Sequence, residues 1–131
     1  MTLISAVMTK NPLSVPDSAA VDVAIDIMVE QDISGVPVVD DEGLLVGLIT
    51  EHDVLCLYEA GGGNESGEIV RRGKVRTIDQ NASLEAAAKI FQMATLRRLL
   101  VVDGDEFVGI LSRRDVVRNI RDSRMAQVHS N

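Results

Sequence analysis

Apolar positions along the chain follow two alternating rhythms. Val21, Ala24, Ile25 and Met28 stand at i, i+3, i+4 and i+7. That spacing puts four side chains on one face of a helix. Leu84, Ala87, Ala88 and Phe91 repeat it later in the chain. Each predicted helix is followed by an aliphatic, β-branched run, Val36 to Val39 and then Leu99 to Val102, which reads as a strand. Asp40-Asp41-Glu42-Gly43 and Asp103-Gly104-Asp105 read as turns, so Leu44 to Ile49 and its later counterpart complete two hairpins. Thr50 and Ser112 then open further helices. The first of these presents Val54, Leu55 and Leu57, the second Val116, Val117 and Ile120. Short strands precede both units, at Leu13-Ser14-Val15 and at Val75 to Ile78. Asp17 or Ser18 is the expected N-cap of the first helix, and Asn81 or Ser83 that of its twin.

The chain is thus written twice. At an offset of 63, Val21, Ala24, Ile27 and Met28 fall on Leu84, Ala87, Ile90 and Phe91, and Val36 to Asp40 fall on Leu99 to Asp103. The second turn drops one residue. At an offset of 62, Gly47 to Val54 then fall on Gly109 to Val116. Each copy reads β-α-β-β-α. One copy alone, at roughly 45–50 residues, is marginal for a stable core. The expected fold is therefore α+β, built from two α/β-type repeats packed sheet to sheet as one pseudo-twofold module. The expected division is residues 1–60 for the first repeat, 61–73 for a linker, 74–121 for the second repeat and 122–131 for a tail without pattern. Within the linker, Glu68 to Gly73 reads as a helical turn.

Composition narrows the classes. Of 131 residues, 46% are hydrophobic and 25% charged, a globular balance. Aromatics are 2%, namely Tyr58, Phe91 and Phe107, so the core must be aliphatic. No apolar run approaches the ~18–20 residues that span a bilayer, and no signal peptide is visible, so no membrane partner is expected. One cysteine, Cys56, fits a reducing, cytoplasmic setting; between Leu55 and Leu57 it reads as a buried structural thiol. The net charge of −7 and the lack of an aromatic platform disfavour nucleic acid. That total hides a split. Residues 1–68 carry one cation against thirteen carboxylates; residues 69–131 carry twelve against seven. The second half is the one suited to an anion.

The informative unit is G-h-h-[TS]-x-x-D, with h apolar, at Gly47 to Asp53 and again at Gly109 to Asp115. The hydroxyl falls where a strand ends and a helix begins. Free N–H groups and the positive end of the helix dipole favour phosphate there. A carboxylate on the first turn can accept two hydrogen bonds, which suits a vicinal diol such as ribose. The same residues are also those of a plain helix cap. Their recurrence in both copies at one spacing favours a ligand role.

These residues resemble the cystathionine-β-synthase-type domain pair, the CBS pair or Bateman module, over about residues 3–121. Val7 to Pro12 is similar to that family's opening segment, and Ile33 to Asp40 to its central strand. The resemblance implies adenine nucleotide (AMP, ADP or ATP) bound in the cleft between repeats, with no cofactor required. Asp53 and Asp115 would hold ribose, and Thr50 and Ser112 phosphate. Backbone and apolar groups near Ser14, Ile33, Gly35, Val36 and Pro37 would flank one adenine; those near Thr77, Leu96, Leu99 and Leu100 would flank the other. His52 reads as a polar residue near the ligand or on the helix surface. In the second copy Leu100 replaces Pro37, and Arg97 and Arg98 replace Ser34 and Gly35. The two arginines, with one of Arg113 and Arg114, could fork onto phosphate. Most members pair as dimers, and the helices carrying Val21/Ile25/Met28 and Leu84/Ala88/Phe91 are expected to supply an interface as well as core, with the charge split favouring an antiparallel pair.

No Cys/His cluster has metal-ligand spacing, and no nucleophile sits in a triad or elbow. Together with these absences, the resemblance implies a non-catalytic function: an energy-sensing regulatory module, homodimeric, signalling to a protein effector in trans. The alternatives are a ligand-free dimerisation module, or a binder of S-adenosylmethionine or nucleic acid.

Overall fold

The two hydrophobic rhythms become elements in the predicted order. The computed structural model describes residues 1–61 and 75–130. The linker expectation, including the turn at Glu68 to Gly73, lies outside the described residues apart from Gly61. In chain order the elements are a 3-10 turn (Ile4–Ala6), β1 (Thr9–Lys10), β2 (Val15–Pro16), α1 (Val21–Gln31), β3 (Gly35–Val39), β4 (Leu45–Thr50) and α2 (Glu51–Glu59). They continue with β5 (Thr77–Asp79), α3 (Leu84–Met93), β6 (Arg98–Asp103), β7 (Glu106–Ser112) and α4 (Arg113–Ser130).

Two compact units result, one of residues 13–75 and one joining residues 1–12 to residues 76–131. In the former, β2, β3 and β4 form a three-stranded sheet, β2 parallel and β4 antiparallel to β3. In the latter, β5 and β6 are parallel, β6 and β7 antiparallel, and β1 adds a fourth strand against β7. The copies agree to the level of register. Gly35 faces Thr50 and Arg98 faces Ser112, and both hairpins bulge at matched places, Val38/Val39 and Val101/Val102.

The compact units are composed differently from the sequence repeats. The opening twelve residues belong with the second copy, because Ile4 is fully buried in that core beside Leu84, Phe91 and Leu99. Thr9 and Lys10 pair with Ile110 and Gly109 of β7. A Cβ on Gly109 would lie 2.5 Å from the Met8 sulfur and 2.9 Å from the Thr9 oxygen. The glycine of the second motif therefore makes room for β1.

The two helices α1 and α3 spend their apolar faces internally. Val21, Ala24 and Met28 enter one core with Val36 and Ile49; Leu84, Ala87 and Phe91 enter the other. The core part of their expected double role is thus filled, and of those sets Ile25 and Ala88 stay half-buried. Exposed apolar side chains stand outside those faces on α1 and α3, at Val23, Val29 and Met93, and also on α2 and α4. Leu55 is 66% exposed, Tyr58 73%, Val117 64% and Ile120 45%. Cys56 is exposed too, not buried, because Val54 and Leu57 hold the inward stripe of α2. Capping also differs. α1 starts after Ala20 with no side-chain cap, rather than at Asp17 or Ser18, whereas Ser83 caps α3 by accepting the Ala86 N–H. The tail expected to lack pattern continues α4 to Ser130.

Candidate functional site: two strand-to-helix junctions

Thr50 ends β4 in extended conformation, which frees its side chain to turn back over α2. Its Oγ1 accepts the Asp53 N–H at 3.3 Å and donates to Asp53 Oδ2 at 2.9 Å, while its own N–H donates to that oxygen at 2.8 Å. This is a reciprocal capping box. Asp53 is 3% exposed and is the single buried charged residue among those described. Ser112 and Asp115 repeat the arrangement. The Ser112 N–H donates to Asp115 Oδ2 at 2.8 Å, and Ser112 Oγ accepts the Asp115 N–H at 3.1 Å.

The copies then diverge. The Asp115 side chain keeps 14% of its surface, and its Oδ1 meets Arg118 Nη1 at 3.5 Å. Arg97, Arg98, Ser112, Arg113, Arg114 and Val117 line an open depression of about 690 Å³ at this junction. Arg97, Arg98 and Arg114 are exposed and point charge at it. Arg113 does not. Its guanidinium donates to the main-chain oxygens of Leu96 (2.6 Å), Phe91 (2.7 Å) and Ala94 (3.1 Å). Of the adjacent arginines it is thus Arg114 that is left for an anion. Nothing in the helical periodicity marked Arg113 as a clamp. The available signal was the absence of a glycine or asparagine to end α3.

The field follows the same division. Residues 13–61 hold eleven carboxylates and no Lys or Arg; residues 76–131 hold nine cations and seven carboxylates. An anion at Thr50 would face Glu51, whereas one at Ser112 faces guanidinium groups.

The other expected site residues are placed as follows. Val36 and Leu99 are fully buried in the two cores, so their side chains cannot wall a ligand and only their main-chain groups remain for one. Pro37 and Leu100 are buried. Ser14, Ile33, Gly35 and Leu96 are half-buried, and Thr77 is exposed. β2 pairs only with Val38 and Val39 of β3, so it leaves Gly35 to Pro37 uncovered on that edge. His52 is exposed on α2 with its Nε2 3.6 Å from the Cys56 sulfur. Among the described residues no three His, Cys, Asp or Glu side chains are grouped to hold a metal ion, and no helix is long and apolar enough to cross a membrane.

The duplicated fold has counterparts in known proteins. The sequence profile described as CBS domain matches residues 4–59 and 67–122, and the chain belongs to that family. The inosine-5'-monophosphate dehydrogenase of Aquifex aeolicus is 30% identical over 112 residues, which are 85% of this chain and 23% of that protein. The chloroplastic CBS domain-containing protein CBSX2 of Arabidopsis thaliana is 31% identical over 134 residues, 79% of this chain and 56% of that protein. The chain therefore spans about a quarter to little more than half of these relatives. The crystal structure of CBSX2 in complex with AMP superimposes with a TM-score of 0.79 at 30% identity, covering 95% of this chain and 99% of that one. The CBS domain pair of protein MJ0100, solved with 5'-methylthioadenosine and S-adenosyl-L-methionine, shares the fold with a TM-score of 0.70 at 24% identity, covering 94% and 98%.

Proposed function

We propose that the chain is a non-catalytic regulatory module that binds an adenine nucleotide at the junction of β7 and α4. The observation that carries this reading is Asp115 hydrogen-bonded to Ser112, which lines an open depression together with Arg97, Arg98 and Arg114. A carboxylate held at a helix start accepts ribose hydroxyls; the guanidinium groups lining the depression fork onto phosphate. The Ser112 hydroxyl, whose oxygen accepts the Asp115 N–H, adds a donor for the same anion. AMP in the CBSX2 crystal structure supports the ligand class. The junction at Thr50 is the weaker site, because Asp53 is buried and the surrounding charge is negative.

The module acts as a homodimer through the exposed apolar residues of α2 and α4, and nucleotide shifts a conformational population read by a protein effector. Thermal-shift titration with AMP, ADP, ATP and S-adenosylmethionine tests the ligand. A nucleotide at ~100 Kd raises stability by roughly 2.7 kcal/mol. A response to S-adenosylmethionine alone would replace the phosphate reading, and no response to any of the four would leave a dimerisation module.

A further inference from the structure

The Asp115 carboxylate is held from two sides of unequal strength. Oδ2 accepts the Ser112 N–H at 2.8 Å, which fixes the carboxylate at the helix start. Oδ1, the oxygen that the capping box leaves over, meets only the Arg118 guanidinium, at 3.5 Å. The Arg118 side chain is 55% exposed, so the pair is long, solvated and weak. Arg118 also follows Arg114 by four residues. Both therefore rise from one face of α4, about 6 Å apart along the axis. Arg114 already lines the depression.

We infer that Arg118 sets the phosphate-chain length the site prefers, by exchanging Asp115 for a polyphosphate tail. The inference rests on the nucleotide reading above. A monophosphate reaches Arg97, Arg98 and Arg114 and leaves Arg118 lying over Asp115 Oδ1, where it competes with the ribose. A triphosphate is long enough to cover the one-turn rise of about 6 Å from Arg114 to Arg118. Its oxygens offer Arg118 a bidentate, charge-assisted acceptor in place of one long contact. Once Arg118 moves to the tail, Oδ1 is released to the ribose. One side chain thus opposes the short ligand and assists the long one.

Opposite effects on two ligands are the signature, because a merely structural residue would move both alike. The experiment is calorimetric titration of AMP, ATP and inorganic tripolyphosphate into wild type, Arg118→Ala and Arg118→Lys, at low and high salt, with melting temperatures recorded. In Arg118→Ala, ATP and tripolyphosphate weaken roughly tenfold at low salt, while AMP is unchanged or tighter. High salt shrinks the wild-type preference for ATP over AMP and leaves that of Arg118→Ala nearly unmoved. Arg118→Lys restores the charge but not the fork, and falls between the two. Equal weakening of AMP and ATP overturns the inference, as does no change in either. So does a wild-type chain that binds neither ATP nor tripolyphosphate. If wild type binds tripolyphosphate but no nucleoside phosphate, the adenine reading fails; the phosphate role of Arg118 is then upheld only if Arg118→Ala weakens tripolyphosphate. If ATP binds and Arg118→Ala does not alter it, the adenine reading stands and the role of Arg118 falls.

Discussion

Arg113 donates from Nη2 to the main-chain oxygen of Phe91 at 2.7 Å, although 22 residues separate them. Phe91 lies in the last turn of α3, where carbonyls lack helical partners. The same guanidinium takes the Ala94 and Leu96 oxygens, so one side chain closes a helix end that has no left-handed residue. The first copy solves this otherwise. Asp32 turns left-handed (φ 52°) after α1, and the residue matching Arg113 is Glu51, which when ionised has no proton to donate.

Arg113→Ala should accordingly destabilise the chain by about 1–3 kcal/mol, the scale of hydrogen bonds to a charged donor. Arg113→Lys should recover little, since a point-like ammonium cannot span three carbonyls. Urea denaturation measures both. A loss below about 0.5 kcal/mol, the range of ordinary surface substitutions, would show the clamp to be idle.

How much of this was legible in the sequence depends on whether the cause is local. Helix faces, hairpins and both capping boxes follow from spacings of two to seven residues, and the sequence pattern places them within a few positions. The bulges at Val38/Val39 and Val101/Val102 carry no residue signature, but the duplication makes them match. What escaped is long-range. Ile4 enters a core built some eighty residues later, and Gly109 is needed because β1 lies against it. Of the candidate site, Ser112, Asp115, Arg97, Arg98 and Arg114 gather at one junction; Val36 and Leu99 are spent as core. An apolar residue in a strand reads identically whether its side chain meets a ligand or its own core.

Gly109→Ala tests the long-range part. The added carbon would meet the Met8 sulfur at 2.5 Å and the Thr9 oxygen at 2.9 Å, whereas at Gly35 the nearest atoms are 3.6 Å away. Overpacking of this kind costs about 1–3 kcal/mol. Gly35→Ala should cost less. Hydrogen exchange should show the β1 amides of Gly109→Ala opening before those of β6. Equal stability of the two variants would remove β1 as the reason for the glycine.

Self-association should depend on α2 and α4 rather than on α1 and α3. Leu55, Tyr58, Val117 and Ile120 are exposed on the former pair, whereas on the latter Val21, Met28, Leu84 and Phe91 are buried and the exposed Val23, Val29 and Met93 lie outside that face. Leu55→Glu combined with Val117→Glu should convert a dimer to monomer by light scattering at micromolar concentration, with the fold retained. Both positions are surface sites, so the folding cost should stay within about 1 kcal/mol. A wild-type chain that is already monomeric would end the dimer proposal.

The two aspartates should separate cap from ligand contact. Asp53 and Asp115 make the same capping box, so removing either carboxylate should weaken its helix start by about 0.5–2 kcal/mol. Asp53→Ala belongs at the upper end, because Asp53 is 3% exposed and its oxygen takes two bonds from Thr50. Asp115→Ala belongs nearer the lower end, with 14% of its side-chain surface accessible. Nucleotide affinity should rank the other way. A charged hydrogen-bond partner contributes about 1.5–3 kcal/mol, so Asp115→Ala should lose roughly tenfold or more in nucleotide affinity. Asp53→Ala should leave the tighter site intact. The two measurements, melting and calorimetry, are made on the same three proteins. If Asp115→Ala lowers the melting temperature and leaves affinity unchanged, its carboxylate is a helix cap and nothing more. If Asp53→Ala abolishes the tight site instead, the nucleotide binds at Thr50 despite its acidic surroundings, and the arginines around Ser112 serve another anion.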